Sequence, residues 1–247
     1  MGFNVRRLPV VKRVVPSLRR RLRRLVNAEP FGIYRYFGVA MLLNPDNFTD
    51  RQIVYFRDCE RRQIEALTAR LAELGCDLFL DIGAHKGLYS PIIDHKGLAG
   101  RIVALEPDLR NWRNLQANLL LNDAGARIDV FAKAVAARSG PVSFAHASPD
   151  KTGRSRVVDT DTGLSVEAVA LDDILGDRGL RLAAKIDVEG YQLEVLRGMQ
   201  GLLTGNRCLL QIEANEQAAF ALIAYLTDLG FRHTGRIGID HYFENTR

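Results

Sequence analysis

Four carboxylates stand where short apolar runs of this sequence end. Leu78–Ile82 carries Asp81 into Gly83-Ala84-His85-Lys86-Gly87, and Arg101–Leu105 runs into Glu106. Ala183–Val188 carries Asp187 and passes into Glu189, and Cys208–Ile212 stops at Glu213. Gly83 and Gly87 permit close backbone approach at a strand-to-helix turn. Their spacing is GxxxG, not the GxGxxG that cradles a dinucleotide pyrophosphate. A carboxylate beside that loop, Asp81, repels phosphate and suits a cationic ligand. Glu106 follows Gly83 by 23 residues, near the interval of about 20 expected of an acid that takes ribose hydroxyls. Asp187 and Glu189 are carboxylates of the kind that serve as a general acid or base. Lys185 is placed to shift their pKa values or to form an ion pair. His85 reads as a cofactor-contact or structural residue ahead of a base, and His241 as a surface histidine or one reaching the crevice. No HxH or HExxH pair occurs, and Cys59, Cys76 and Cys208 stand singly without a CxxC partner. No metal ligand set is assigned, and the cysteines read as buried, inert thiols.

These residues need a scaffold that gathers strand ends. Apolar runs and helical periodicities alternate from residue 77 onward. The strands are expected at Leu78–Ile82, Arg101–Leu105, Ile128–Ala132, Ala183–Val188 and Cys208–Ile212, with two more in Phe231–Phe243. Between them, Trp112, Leu115 and Leu119, then Leu193 and Leu196, then Ala219, Leu222, Ile223 and Leu226 mark helix faces. Such alternation predicts a parallel, doubly wound sheet with its ligand site at the carboxyl ends of the strands. Val135 to Val169 breaks the rhythm and reads as a hairpin insertion with a mobile polar loop. Upstream, Ile33 to Leu43 reads as one or two strands interrupted at Gly38. Ile64, Leu67, Leu71 and Leu74 predict a helix stopped by Gly75. Trp112 and Tyr89 are expected to pack.

The 247 residues are 47% hydrophobic and 26% charged, which excludes a disordered chain, and no apolar run approaches a membrane span. The formal net charge of +5 hides an asymmetry: residues 1–24 hold nine basic side chains and no acid, while the remainder carries a net −4. The basic balance therefore belongs to the tail and does not argue that the body binds nucleic acid. Leu18, Leu22 and Val26 give residues 16–28 a narrow apolar edge on a cationic helix. Three fates suit residues 1–28: docking on an anionic membrane, a solvated or domain-packed segment, and, third, nucleic-acid contact. The division expected is a tail at 1–30, strands and a helix packing on the core at 31–76, and the main domain at 77–247. No secretory h-region follows the arginines, so a cytoplasmic chain, free or associated with the membrane's cytoplasmic face, is expected.

A cation, a ribose and no phosphate describe S-adenosylmethionine. Residues 77–213 resemble the FkbM family of S-adenosylmethionine-dependent methyltransferases. The matching stretches are FLDIGAHKGLYS (Phe79–Ser90), ALEPD with the later LQANLLLND (Ala104–Asp123), LDDIL (Leu171–Leu175) and KIDVEGYQLEVLRGM (Lys185–Met199). The resemblance implies a Rossmann-like class I α/β fold with a mostly parallel seven-stranded sheet and helices on both faces. It implies transfer of a methyl group to a hydroxyl of a carbohydrate or polyketide acceptor. Asp81, Gly83, Ala84, His85 and Gly87 would surround the methionine part of the cofactor, Glu106 would hold the ribose, and Asp187 and Glu189 would face the transfer centre. Two departures stand out: His85 where the family commonly has asparagine, and Gln192 where it commonly has glutamate. A nucleic-acid methyltransferase or RNA-binding module using the arginine tail is the alternative. A nicotinamide oxidoreductase is disfavoured by the GxxxG spacing.

Overall fold

The computed structural model describes residues 31–124, 128–160 and 163–245, with positions 18 and 21 alone from the first 30. The basic helix expected of residues 1–30, and any surface docking by it, lie outside the described residues. The chain opens with a hairpin, β1 (Gly32–Tyr36) and β2 (Val39–Leu43). Asn47 then caps a short helix, α1 (Phe48–Arg51), which continues as a π-helical turn over Gln52–Phe56. Next comes α2 (Arg61–Leu74), which buries Ile64, Leu67 and Leu71 and ends on Gly75 at φ 65°, as the periodicity predicts.

The alternating part follows: β3 (Cys76–Ile82), α3 (Tyr89–His95), β4 (Ala99–Leu105), α4 (Leu109–Leu120) and β5 (Ile128–Phe131). An inserted segment supplies β6 (Ala134–Val135), β7 (Gly140–Ala145), β8 (Arg156–Val157) and β9 (Ser165–Val169). The core resumes with α5 (Leu171–Ile174), β10 (Arg181–Ile186), α6 (Gln192–Arg197), α7 (Gln200–Gly205) and β11 (Arg207–Glu213). It closes with α8 (Glu216–Asp228), β12 (Arg232–Ile237) and β13 (Asp240–Glu244).

The main sheet has seven strands in the order β12-β13-β11-β10-β3-β4-β5. From β11 to β5 every pairing is parallel, and β13 runs antiparallel to both β11 and β12. The sheet is mixed, and its antiparallel part is the terminal hairpin. Side chains alternate across its faces. Leu78, Leu80 and Ile82 of β3 pack with α5 to α8, while Phe79 packs with α2, α3, α4 and the β1–β2 hairpin. Burial of both faces explains why these strands read as nearly continuous apolar runs. Residues 31–76 thus contribute to the same core as one face of the sheet.

The insertion departs from the expected single hairpin. It forms a small sheet of order β6-β9-β7-β8, in which β7 pairs antiparallel with both β9 and β8. Among the described residues of its polar loop, Thr152 and Ser155 are tied to the core by hydrogen bonds. All three cysteines are buried and unpaired. Among the described residues no helix is long and apolar enough to cross a membrane.

Candidate active site

The strand order places β4, β3, β10 and β11 side by side. Their carboxyl ends therefore bring Glu106, Asp81, Asp187 and Glu213 to one cavity of about 530 Å³, walled also by α1, the π-helical turn and the insertion. The loop after β3 is shaped by backbone constraints. Gly83 sits at φ +79°, and a Cβ there would lie 1.8 Å from the Asp187 carbonyl oxygen. The ends of β3 and β10 can close together only over a glycine. Gly83 and Ala84 donate their N–H groups to Leu105 O at 2.9 and 3.0 Å, tying the loop to β4. His85 holds a left-handed φ of 52°.

The sequence-assigned residues divide in role. Asp81 is buried in the cavity wall, but its carboxylate accepts from Ser90 N at 3.0 Å and from the Ser90 hydroxyl, fixing the start of α3. Burial raises its pKa and the Ser90 contacts oppose the rise. Its visible work is to hold the loop. His85 Nε2 lies 3.1 Å from Thr152 Oγ1 of the insertion. Burial, then the neighbouring Lys86 ammonium, push its imidazole down to about 3, so it is neutral at physiological pH and a poor base. Lys86 pairs with Asp50 of α1 at 2.7 Å in the cavity wall, both side chains buried.

Glu106 is buried, and burial pushes its carboxyl up to about 7 against two backbone donors. Asp108 N reaches one oxygen and His85 N the other, each at 2.8 Å. Beside it, Asn111 Nδ2 donates to Thr152 O at 3.2 Å. Asn111 Oδ1 is buried with no hydrogen-bond partner among the described residues. Each Glu106 oxygen accepts one backbone N–H and keeps a further lone pair, so the carboxylate is the complement of a pair of ligand hydroxyls.

At the opposite wall, carboxylate oxygens of Asp187, Glu189 and Glu213 lie within 4.8 Å of one another. Lys185, almost fully buried, pairs with Asp187 at 3.0 Å. Burial opposes its charge, but Asp187, Glu60, Asp240 and Glu213 hold it well above the ordinary lysine range. Burial and then the charge of Asp187 push Glu213 up to about 8 and raise Glu189 as well. The Glu213 carboxylate has no hydrogen-bond partner among the described residues. Three carboxylate oxygens at this spacing suit a hard cation. No metal is assigned, because Lys185 already supplies the compensating charge at Asp187.

Sequence reasoning missed the layer beneath this floor. Tyr89 does not simply pack: its hydroxyl donates to Glu60 at 2.7 Å and accepts from Gln211 Nε2 at 3.0 Å, and its ring lies 5.3 Å from Lys185 Nζ. Gln211 also donates to Asp240 at 2.8 Å. Glu60 sits at φ 47°, a strained setting for glutamate. No periodicity announces such partners; a polar residue inside an apolar strand, such as Gln211, was the one available signal. His241 does not reach the crevice. It is buried 3.2 Å from His233 on the neighbouring strand. Gln192 is buried beside the cavity and donates to the Glu213 carbonyl at 2.7 Å. An ionised glutamate there could not make that bond.

Removal of Asp50 strands the Lys86 charge in the interior. Asp50→Ala is expected to cost about 3–5 kcal/mol, read as a lowered urea midpoint, and Lys86→Met in the same chain should recover much of it. An unchanged midpoint in Asp50→Ala would show that the pair does not hold α1 against the loop.

A mostly parallel seven-stranded sheet with an acid-lined, glycine-turned crevice at its switch point defines a class I methyltransferase fold. The sequence model of the methyltransferase FkbM domain matches residues 81–233. The chain belongs to that family. It is 26% identical over 141 residues to the hexuronic acid methyltransferase AglP of Haloferax volcanii, a match that covers 56% of this chain and 56% of that protein. The chain therefore spans about half the length of this curated relative. Among solved structures it is similar to an rRNA methylase from Streptococcus thermophilus, at 14% identity and a TM-score of 0.48 over 76% of this chain and 98% of that one. It is also similar to TYW2 of M. jannaschii in complex with AdoMet, at 12% identity and a TM-score of 0.45 over 88% of each chain.

Proposed function

We propose that the protein is an S-adenosylmethionine-dependent O-methyltransferase acting on a hydroxyl of a carbohydrate or polyketide-type acceptor. The observation that carries the cofactor assignment is the Glu106 carboxylate in the cavity wall, which offers acceptors to two ribose hydroxyls. The glycine-turned loop, Gly83 to Gly87, and the acidic floor suit the cationic methionine part. When bound, the cofactor supplies an electrophilic methyl group on a sulfonium. The protein's own task is then to bring an acceptor oxygen into line, and such orientation can supply up to about 7–11 kcal/mol.

The floor supplies the rest. An acceptor hydroxyl methylated there would have to give up its proton, and a carboxylate of the floor would take it. Glu213 is the acceptor favoured here: it has no hydrogen-bond partner among the described residues, and its carboxyl is held near 8. Glu189 is beside it at the rim, and Asp187, fixed by Lys185, orients the group. The carbohydrate class draws on the name of the Haloferax relative, a hexuronic acid methyltransferase.

The test is incubation with methyl-labelled cofactor and a panel of sugars, lipid-linked saccharides, polyketides and RNA. Mass spectrometry then locates the label. Label on a sugar or polyketide hydroxyl is expected, and label confined to RNA or to nitrogen would overturn the assignment. Calorimetry should show binding of S-adenosylhomocysteine and none of NAD.

A further inference from the structure

The insertion lays the segment from Lys151 to Val157 across the mouth of the cavity. Two buried anchors hold it. Thr152 Oγ1 is met by His85 Nε2 at 3.1 Å and by Asn47 Nδ2 at 3.2 Å. Ser155 Oγ donates to Asp108 Oδ2 at 2.7 Å, and the Asp108 side chain is fully buried. Ser155 is extended, at φ −66° and ψ 136°. Arg154 closes the helical turn Thr152–Arg154 and Arg156 opens β8, so the two arginines flank the Ser155 anchor.

Both arginines are exposed and line the cavity. Neither side chain has a hydrogen-bond or ion-pair partner among the described residues. Their charges reach Glu189, whose carboxyl they pull down against burial. Two guanidinium groups are thus held by a pinned backbone above an acidic floor, in a body of net negative charge. A solvated surface loop needs neither the Asp108 anchor nor the Thr152 clamp. Arginine's planar fork matches the two oxygens of a carboxylate or phosphate, and it carries its charge at any working pH.

We infer that Arg154 and Arg156 form an anion-recognising rim, so that the acceptor carries a carboxylate or phosphate beside the hydroxyl that is methylated. This rests on the O-methyltransferase assignment above. Opposed charges at mouth and floor also orient the acceptor. The anion is drawn to the rim and repelled by Asp187, Glu189 and Glu213, which leaves a hydroxyl facing the floor.

The test uses the full chain saturated with S-adenosylhomocysteine and titrated calorimetrically with p-nitrophenyl glucuronide, p-nitrophenyl glucoside and glucose 1-phosphate. The glucuronide or the phosphate should bind roughly 10- to 100-fold more tightly than the glucoside, and whichever leads identifies the anion. The double substitution Arg154→Gln, Arg156→Gln should erase that preference and leave binding of the glucoside and of S-adenosylhomocysteine unchanged. Lysine at both positions should restore part of it. Equal binding of charged and neutral glycosides would overturn the inference. So would loss of S-adenosylhomocysteine affinity in the glutamine variant, which would assign the arginines to the cofactor, or displacement of the sugars by a short RNA at lower concentration. The two assignments fail separately. If the anion preference and its arginine dependence persist but the label is found on the carboxyl as an ester, the hydroxyl assignment falls and the rim stands.

Discussion

Exchange of Glu213 for glutamine is expected to lower kcat by roughly 10²–10⁴-fold, the range general bases contribute, with little change in cofactor Kd. Glutamine keeps the size of the side chain and its reach into the floor, but it cannot take a proton. The backbone carbonyl that Gln192 holds at 2.7 Å is untouched. The pH profile separates a base from a merely structural acid. Burial and the Asp187 charge place the Glu213 carboxyl near 8. Because the ionised form is the active one, kcat/KM should climb as pH rises through about 8 and then level, and the glutamine variant should lose that limb. Glu189→Gln should have a smaller effect. Asp187→Asn should act indirectly, by releasing Lys185. If Glu213→Gln and Glu189→Gln both keep near-normal turnover, neither glutamate takes the proton.

Glu106→Gln is expected to weaken S-adenosylmethionine by about ten- to over a hundred-fold, from loss of charge-assisted hydrogen bonds of about 1.5–3 kcal/mol. The amide fails on both sides. It presents a donor to one of the two N–H groups, of His85 or Asp108, that now share the carboxylate. It also removes the anion that ribose hydroxyls would meet. Burial holds the free carboxyl near 7, whereas hydroxyl donors favour its ionised form. Binding should therefore release protons near neutrality, and affinity should rise with pH through about 7. Calorimetry in buffers of different ionisation enthalpy reads the proton directly, and the glutamine variant is the control. Equal affinity and equal proton release in wild type and variant would remove Glu106 from the ribose site.

Much of this crevice could be read from the sequence, because it is built from strand ends. Leu78–Ile82 and Ala183–Val188 announce themselves by apolar content, and the order of a doubly wound sheet then brings Glu106, Asp187 and Glu213 together. The family resemblance rests on the same segments. The contacts of Asp81 were hidden: its partner Ser90 is nine residues away, on a helix whose start it fixes. Hidden too were Glu60, Tyr89, Gln211 and Asp240, a chain of buried hydrogen bonds between segments far apart in sequence. The insertion looked loose because Ser, Thr, Gly and Asp dominate it. Its order comes from Asp108 and His85, which belong to other elements. The π-helical turn at Gln52–Phe56 has no signature of its own in an eleven-residue window.

The position of β10 between β3 and β11 also sets an order of events when the chain is made. Strand β4 can join β3, and β5 can join β4, soon after they emerge, since short segments separate them. The other edge of β3 waits for β10: Asp77 clasps Arg181 from 104 residues away. Pairings so distant reward the chain only after a long loop has been closed. Until then the nascent protein owns half a crevice, with the Glu106 wall in place and the acidic floor still unmade. Leu78 and Leu80 lie meanwhile along an open strand edge, the kind of template on which chains join one another. A ribosome that pauses before residue 181 would therefore hold out an aggregation-prone intermediate, and the cell's chaperones are expected to meet this protein at that edge.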